Sequence, residues 1–226
     1  MRIIVGCEAS QKITKALRAR GYEAYSCDIL PAYGGHPEWH FQEDIFAVLA
    51  REQFDFGIFH PPCTYLCNSG VRWLWNKDGT RNEQRWRDME DGARFFKRLL
   101  DLPMNKALEN PVMHKYAVEI IGRRQDQVVQ PWMFGHMEQK ATGFWLDGLP
   151  LLQPTDNVKE AMMALPRNER ERIHFLPNTP DRWKIRSETF AGIAEAMADQ
   201  WTNAVPLVPY KSIAMPPGAQ LELFAA

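Results

Sequence analysis

Short apolar runs that stop on small or polar residues recur along the chain and predict buried strands. Residues 2–7, 22–27 and 54–59 are the first three such runs. Between the first two, apolar residues recur at three- and four-residue spacing, which predicts a helix with Ser10 as its N-cap and Gly21 at its end. Alternating strands and helices of this kind predict an α/β fold with a mostly parallel sheet.

The rest of the chain carries further candidates for strands and helices. Strands are expected at residues 106–108, 128–130 and 143–146, and helices at residues 44–49, 93–100 and 187–201, the last capped by Ser187. A loop is expected at residues 65–91, a polar connection at 157–186 and an extended, proline-rich tail at 206–226. We therefore expect one domain over residues 1–205, followed by the tail.

The composition limits the partners and the compartment of the protein. A chain of 226 residues with 45% hydrophobic content can form one substantial core. Its formal net charge of −1 gives no global basic field, so nucleic-acid contact must come from local clusters of Arg and Lys. The four cysteines show no secreted framework, and no apolar segment indicates a signal or a membrane span. We expect a cytoplasmic protein with free thiols and no membrane contact.

The candidate chemistry lies where two predicted strands end. The third apolar run stops at Pro61-Pro62 and presents Cys63. Because proline fixes its own backbone and keeps the preceding residue extended, the turn aims Cys63 from the carboxyl edge of the sheet. Glu109 and Asn110 end a later apolar run in the same way. Open α/β sheets bind ligands at this edge, although a lone cysteine there can also be a small apolar residue.

Four arginines and three tryptophans are interleaved in the expected loop at residues 65–91. They are Arg72, Arg81, Arg85 and Arg87, with Trp73, Trp75 and Trp86. Basic residues among aromatic ones suit phosphate contact and base stacking. The alternative is the start of an amphipathic helix that packs its tryptophans inward.

Taken together, these motifs resemble those of the DNA cytosine carbon-5 methyltransferases, especially the compact members found in phages and prophages. The resemblance follows the family's order through nearly the whole chain up to Trp201. The matching motifs are Pro61-Pro62-Cys63 with the nucleophile motif, Glu109-Asn110-Pro111 with Glu-Asn-Val, Asp44-Ile45 with Asp-Ile, and Ser187 with the serine of the last motif. The resemblance implies a Rossmann-like S-adenosylmethionine-dependent methyltransferase fold with helices on both faces, DNA as substrate and the cytoplasm of a bacterial host.

The resemblance also implies roles for individual residues. S-adenosylmethionine would be bound by Gly6, Glu8 and Ser10, by Asp28 at its ribose, by Asp44 at its adenine, and by Ser187; the substrate would contact Pro62, Asn110, Lys140, Arg72 and Trp73. Because carbon 5 of cytosine is a poor nucleophile, Cys63 would first add to carbon 6. Glu109 would stabilise the charge that develops at ring nitrogen 3. No metal is expected.

Two departures from the family pattern affect substrate binding. Where the family has Gln-x-Arg-x-Arg, this chain has residues 139–143, in which both arginines are missing and Lys140 is the candidate substitute. The connection over residues 147–186 is too short for the family's large target-recognition domain. We therefore expect low sequence specificity, unless specificity comes from elsewhere.

Two other functions remain open at this stage. Zinc deaminases carry His-x-Glu followed by Pro-Cys-x-x-Cys, and this chain has His36 and Glu38 and later Cys63 and Cys67, with three residues between the cysteines rather than two. Metal analysis would separate that class from a methyltransferase. The second alternative is a catalytically inactive relative that binds DNA or another protein.

The end of the chain carries a separate motif. It is Gln220, Leu221, Glu222, Leu223 and Phe224, after a Pro/Gly spacer. This pentapeptide resembles the one by which bacterial replication and repair proteins bind the DNA polymerase sliding clamp. Its apolar side chains would anchor in a pocket while Gln220 makes hydrogen bonds. The alternative is a terminal strand that folds back on the core.

Overall fold

A seven-stranded sheet with helices on both faces forms the protein, whose structure is a computed structural model that describes residues 1–204. The strands are β1 (Arg2–Gly6), β2 (Glu23–Cys27), β3 (His40–Phe41), β4 (Phe56–Phe59), β5 (Asn105–Pro111), β6 (Gln127–Val129) and β7 (Thr142–Asp147). The helices are α1 (Lys12–Ala19), α2 (Ile45–Arg51), α3 (Glu83–Leu100), α4 (Lys115–Ile121), α5 (Lys159–Ala164), α6 (Arg167–Arg170), α7 (Arg172–Phe175), α8 (Arg182–Ser187) and α9 (Ala191–Ala204). Short 3-10 helices span Pro37–Trp39, Asn68–Leu74 and Pro131–Met133.

The strand order is β3-β2-β1-β4-β5-β7-β6. The five strands from β3 to β5 are parallel, and β7 runs antiparallel to both β5 and β6. This is the doubly wound order 3-2-1-4-5-6 with an extra antiparallel strand between the fifth and the sixth. The direction of winding reverses between β1 and β4, and ligands of such sheets bind outside the carboxyl ends of the strands at that point.

Successive residues of each central strand face opposite helical layers, as the pleat requires. Ile3 and Val5 of β1 pack with α1 and α9, whereas Ile4 packs with α2, α3 and α4. Phe144 and Trp145 of β7 divide between the two layers in the same way. The predicted α/β architecture with a mostly parallel sheet and helices on both faces is therefore confirmed.

Several predicted boundaries are wrong. Helix α3 begins at Glu83 rather than near residue 93, because the Asn82 side chain caps it by accepting a hydrogen bond from the Arg85 amide at 3.2 Å. Much of the expected loop at residues 65–91 is therefore helical. Strand β3 and helix α4 are absent from the sequence prediction: β3 has only two residues, and α4 follows the Pro111 turn.

Both serines predicted as helix caps have other positions. Helix α1 has Gln11 at its N-cap, in the left-handed region at φ 58°, rather than Ser10. The carboxylate of Glu8 caps α1 from outside, accepting hydrogen bonds from the Ile13 amide at 2.6 Å and the Thr14 hydroxyl at 2.7 Å. Ser187 is the last residue of α8, where its hydroxyl donates to the Lys184 carbonyl at 2.9 Å, and it does not cap α9.

None of the helices within residues 1–204 is both long enough and apolar enough to cross a membrane. The expected tail at residues 206–226, with Gln220, Leu221, Leu223 and Phe224, lies outside the described residues.

Two helical glycines provide a matched test of the packing of α9. A Cβ at Gly192 would overlap the backbone carbonyl of Phe134, whereas a Cβ at Gly92 in α3 would meet its nearest atom, Leu66 Cδ2, at an ordinary 3.5 Å. We expect Gly192→Ala to lower the free energy of unfolding by about 2 kcal/mol. Gly92→Ala should leave it unchanged or raise it by up to about 1 kcal/mol, since alanine favours a helix. Urea unfolding measures both, and equal effects would contradict this packing.

Candidate active site

The carboxyl ends of β1, β4 and β5 bring the predicted catalytic residues to one edge of the sheet. Phe59 of β4 is paired in register with Leu108 of β5, so His60 and Glu109 are the next residues on adjacent strands. The His60 amide donates to the Gly6 carbonyl at 2.9 Å, which fixes the end of β4 against β1. The segment that carries Cys63 therefore begins at the centre of the sheet.

The turn that follows His60 presents Cys63 as its sequence predicts. Pro61 is buried and Pro62 exposed, while Cys63 is half-buried. The side-chain amide of Asn110 donates to the Pro61 carbonyl at 2.7 Å and so ties the turn to β5. Asn110 is itself almost fully buried, and this contact makes it a support of the turn.

Glu109 forms a buried pair with His60. Its Oε2 lies 2.9 Å from His60 Nδ1, and the two side chains are only 14% and 10% exposed. Burial acts to raise the pKa of Glu109, but the hydrogen bond from His60 and the charges of His60 and Lys140 outweigh it and lower the pKa. At neutral pH, Glu109 is therefore a carboxylate held in a fixed orientation.

Lys140 connects this edge to the end of α8 and to the residue that follows it. Its Nζ donates to the carbonyls of Arg186 at 2.7 Å and Glu188 at 3.4 Å. Its positive charge also acts on both Glu109 and Cys63, lowering the pKa of each. A small pocket lies beside these residues, lined by Glu109, Lys140, Thr142, Thr189, Phe190, Ile193 and Met197.

Cys63 and Cys67 form a pair of interacting thiols one turn apart. The Cys67 amide donates to the Cys63 carbonyl at 3.3 Å, and the two side chains share a hydrogen bond. This bond and a further one between Cys67 Sγ and Ser69 Oγ at 3.1 Å lower the pKa of Cys67 against the effect of burial. Donation to Cys67, burial and the charge of Glu109 raise the pKa of Cys63.

The thiol pair predicts an order of reactivity. At about pH 6, below the ordinary thiol pKa of about 8.5, iodoacetamide should alkylate Cys67 before Cys63, Cys7 and Cys27, because the thiolate is the reacting form. Cys63→Ala removes the hydrogen bond to Cys67, so we expect labelling of Cys67 to slow by about tenfold. Peptide mapping by mass spectrometry measures both rates. Alkylation of Cys63 before Cys67 would contradict the lowered pKa of Cys67 and the raised pKa of Cys63.

The turn after β1 lies next to two of the predicted cofactor carboxylates. Cys7 adopts a left-handed conformation at φ 59°, a geometry usually provided by glycine, so the chain makes this turn without a glycine-rich motif. Burial raises the pKa of Cys7, and the nearby charges of Asp28 and Asp44 raise it further. The two carboxylates therefore lie around the same turn, beside Gly6.

Asp28 and Asp44 each accept hydrogen bonds from nearby backbone amides. Asp28 accepts through Oδ1 from the Leu30 amide at 3.0 Å, and Asp44 caps α2 by accepting through Oδ1 from Phe46 and Ala47. Carboxylates at this edge of the sheet suit ribose hydroxyls and an amino group. Donor groups of S-adenosylmethionine thus fit these two acids.

The other three predicted cofactor residues differ in accessibility. Glu8 is buried and its carboxylate caps α1, and Ser10 is also buried. Ser187 is exposed and lies beside the hydroxyl of Tyr33 in the loop after β2. Of the three, Ser187 is therefore the best placed for direct ligand contact, while Glu8 supports the turn.

The arginine-rich segment lies beside the turn that carries Cys63, since the Arg85 guanidinium donates to the Thr64 carbonyl at 3.0 Å, and it fits both interpretations of its sequence in part. Trp86 is buried in the core, whereas Trp73 is 54% exposed with the Arg72 guanidinium 4.4 Å from its ring centroid. The Asn68 amide, at the start of this 3-10 helix, donates to the Val112 carbonyl just beyond β5. Within residues 1–204, none of Arg72, Arg81, Arg85 and Arg87 forms an ion pair with a carboxylate.

The structure adds His60 to the residues that the sequence predicts for this site. His60 precedes the two prolines, but its pairing with Glu109 depends on β4 and β5 being neighbours, and the local sequence carries no signal for that. The proposed deaminase ligands are not assembled: within the described part of the chain, no three His, Cys, Asp or Glu side chains are grouped to hold a metal. His36 instead hydrogen-bonds Glu38 at 2.9 Å and stacks on Trp39.

Comparison with known proteins gives no family for this chain. No protein-family model matches it, and no curated protein is similar to it.

Proposed function

We propose that this protein transfers a methyl group from S-adenosylmethionine to carbon 5 of cytosine in DNA through a covalent adduct with Cys63. The observation that carries the proposal is the position of Cys63 and Glu109 at the ends of the adjacent strands β4 and β5, tied together by the Asn110 contact to Pro61. The strand order supports it as well. It is the doubly wound order of a Rossmann-like fold, with an antiparallel strand between β5 and β6.

In this proposal each residue of the chain has one chemical task. Cys67, which shares a hydrogen bond with Cys63, accepts its thiol proton, and the Cys63 thiolate adds to carbon 6 of the base. Glu109 contacts the ring at nitrogen 3 and stabilises the adduct. Lys140 provides positive charge at the edge where the missing family arginines would lie. S-adenosylmethionine, when bound, supplies an electrophilic methyl group.

The same residues favour methyl transfer over both the inactive binding module and the zinc deaminase. A binding module has no need for a buried pair of His60 and Glu109 next to a thiol. A zinc deaminase needs three grouped ligands, and those of its motif are apart here. Methyl transfer is the one function of the three that uses Cys63 and Glu109 together.

DNA contact is proposed for the exposed arginine and tryptophan face. If Arg72 binds a phosphate, Arg72→Gln should reduce the slope of log K against log salt concentration by about 0.9. Arg94→Gln is the matched control, because Arg94 on α3 is already paired with Asp91 at 2.9 Å and Glu90 at 3.4 Å. Fluorescence anisotropy with a duplex at several salt concentrations measures both slopes. Equal slopes for the two variants would rule out a phosphate contact at Arg72.

We also propose that the tail pentapeptide from Gln220 to Phe224 binds a bacterial sliding clamp, in the cytoplasm of the host. Tethering would raise the effective concentration of the enzyme on DNA without sequence recognition, which suits a chain without a large recognition domain. A pull-down with purified clamp compares the full chain with a truncation after Gly218. Equal retention of the two, or none by the full chain, would contradict the proposal.

Methyl transfer itself is tested with the purified protein, labelled S-adenosylmethionine and cytosine-containing DNA, RNA or free nucleotide. We expect 5-methylcytosine in nucleosides from the DNA sample by mass spectrometry. Label in RNA or nucleotide alone would show that one of these, and not DNA, is the substrate. No label in any sample would contradict the proposed methyl transfer.

A further inference from the structure

The His60–Glu109 pair carries an inference that deepens the proposed function and rests on it. We propose that His60 is a positioning residue that fixes Glu109 against the base and supplies, through it, the proton that ring nitrogen 3 takes up when Cys63 adds to carbon 6. His60 acts through Glu109 and does not itself need to touch the base.

The geometry holds His60 in one place. Its backbone amide is bonded to the Gly6 carbonyl at 2.9 Å, and its Nδ1 lies 2.9 Å from Glu109 Oε2. Because both side chains are nearly nine-tenths buried, bulk water competes little for this hydrogen bond. A buried acid and base in such contact can hold a shared proton on either atom.

Glu109 alone would be a poor source of that proton. Its pKa is lowered by the His60 hydrogen bond and by the charges of His60 and Lys140, against the effect of burial, so the free carboxyl group is ionised at neutral pH. Ring nitrogen 3 needs a proton only when it becomes basic in the adduct. A proton donor in contact with Glu109 can supply this proton, and His60 is in such contact through Nδ1.

The proposed step balances. The Cys63 thiolate forms a bond to carbon 6, and the displaced π electrons move through the ring to nitrogen 3. The Nδ1 proton of protonated His60 passes to the Glu109 carboxylate, which then gives it to nitrogen 3, so that His60 ends neutral and Glu109 ends as a carboxylate again. When the bond from Cys63 to carbon 6 breaks, its electrons return to sulfur and the proton returns along the same path.

Other charged groups face this pair and set its response to pH. Buried Glu8 lies near enough to His60 for the imidazole charge to lower its pKa, although burial raises it overall. The positive charge of Lys140 lowers the pKa of Glu109. Within residues 1–204, His60 Nε2 is buried without a hydrogen-bond partner. Nδ1 is therefore the ring nitrogen through which His60 acts on Glu109.

Two substitutions separate positioning from proton supply. His60→Asn keeps an amide donor close to the place of Nδ1 but cannot ionise, whereas His60→Phe keeps the bulk and has no donor. The first readout is the rate of adduct formation with a 5-fluorocytosine oligonucleotide as a function of pH. The second is ¹⁵N NMR of histidine-labelled free protein, which follows the His60 Nδ1 hydrogen and requires neither cofactor nor substrate. Thermal unfolding checks that each variant folds.

We expect His60→Asn to slow adduct formation by about tenfold and to change its dependence on pH, and His60→Phe to slow it by about a hundredfold. In the free protein, the Nδ1 hydrogen signal should shift in Glu109→Gln. A His60→Asn variant with the wild-type rate and pH profile would overturn the inference while leaving methyl transfer intact. If the wild-type protein forms no adduct at all, the proposed function fails, and proton supply by His60 fails with it even where NMR shows the pair.

Discussion

Cys63→Ser is expected to lower methyl transfer to DNA by about 10⁴-fold or more, the order of loss seen when a catalytic nucleophile is removed. A serine hydroxyl at this position ionises far less readily than a thiol and is a weaker nucleophile towards carbon 6. The fold should be unaffected, because Cys63 is half-buried at the end of a turn that Asn110 and the prolines hold. Transfer of a labelled methyl group measures the loss.

Cys67→Ser is the matched control for this prediction. It lies one turn further along the same segment and keeps a hydroxyl that can accept from Cys63. We expect it to retain measurable transfer, reduced by about tenfold, since it supports the reaction only by accepting a proton. A Cys63→Ser protein with transfer near the wild-type level would show that Cys63 is not the nucleophile.

Glu109→Gln is expected to lower turnover by about 10²- to 10³-fold, the usual effect of removing a group that stabilises transition-state charge. The amide cannot carry a proton to ring nitrogen 3. The substitution also removes the negative charge that raises the pKa of Cys63, so alkylation of Cys63 in the free protein should become faster at a given pH. The two effects have opposite directions and are measured separately, by steady-state kinetics and by alkylation.

Glu119→Gln on the exposed surface of α4 is the control, with no expected effect on either measurement. Loss of turnover in Glu109→Gln without any change in Cys63 alkylation would show that the charge of Glu109 does not act on the Cys63 thiol. Wild-type turnover would remove Glu109 from the reaction.

Six of the seven strands and their order of appearance could be predicted, because each of the six is a short apolar run closed by a proline, glycine or acid, whereas β3 has only two residues. The end of β4 is the clearest case, since Pro61-Pro62 stops a fully buried strand. Helix α3 was harder to predict, because its first turns carry Arg85 and Arg87, and the apolar spacing from Trp86 to Met89 and Ala93 is diluted by charge. Its cap, Asn82, is the local signal that marks the true start.

Part of the site depends on contacts between distant parts of the chain. Cys63 and Glu109 stand at predicted strand ends, so their edge of the sheet follows from the sequence. Their neighbours do not: His60 meets Glu109 across 49 positions of the chain, and Lys140 meets Arg186 across 46. The cap at α1 shows the same limit, because buried Glu8 satisfies the helix amides that Ser10 is predicted to satisfy.

The most direct test of the covalent mechanism is to trap the adduct. The protein is incubated with S-adenosylmethionine and a DNA duplex that contains 5-fluorocytosine, whose fluorine blocks release of the enzyme after methyl transfer. Peptide mapping by mass spectrometry then locates the modified residue. The proposal predicts a stable protein–DNA complex with the base attached to Cys63 and none in Cys63→Ser. No complex with the wild-type protein, or attachment at Cys67, would contradict it.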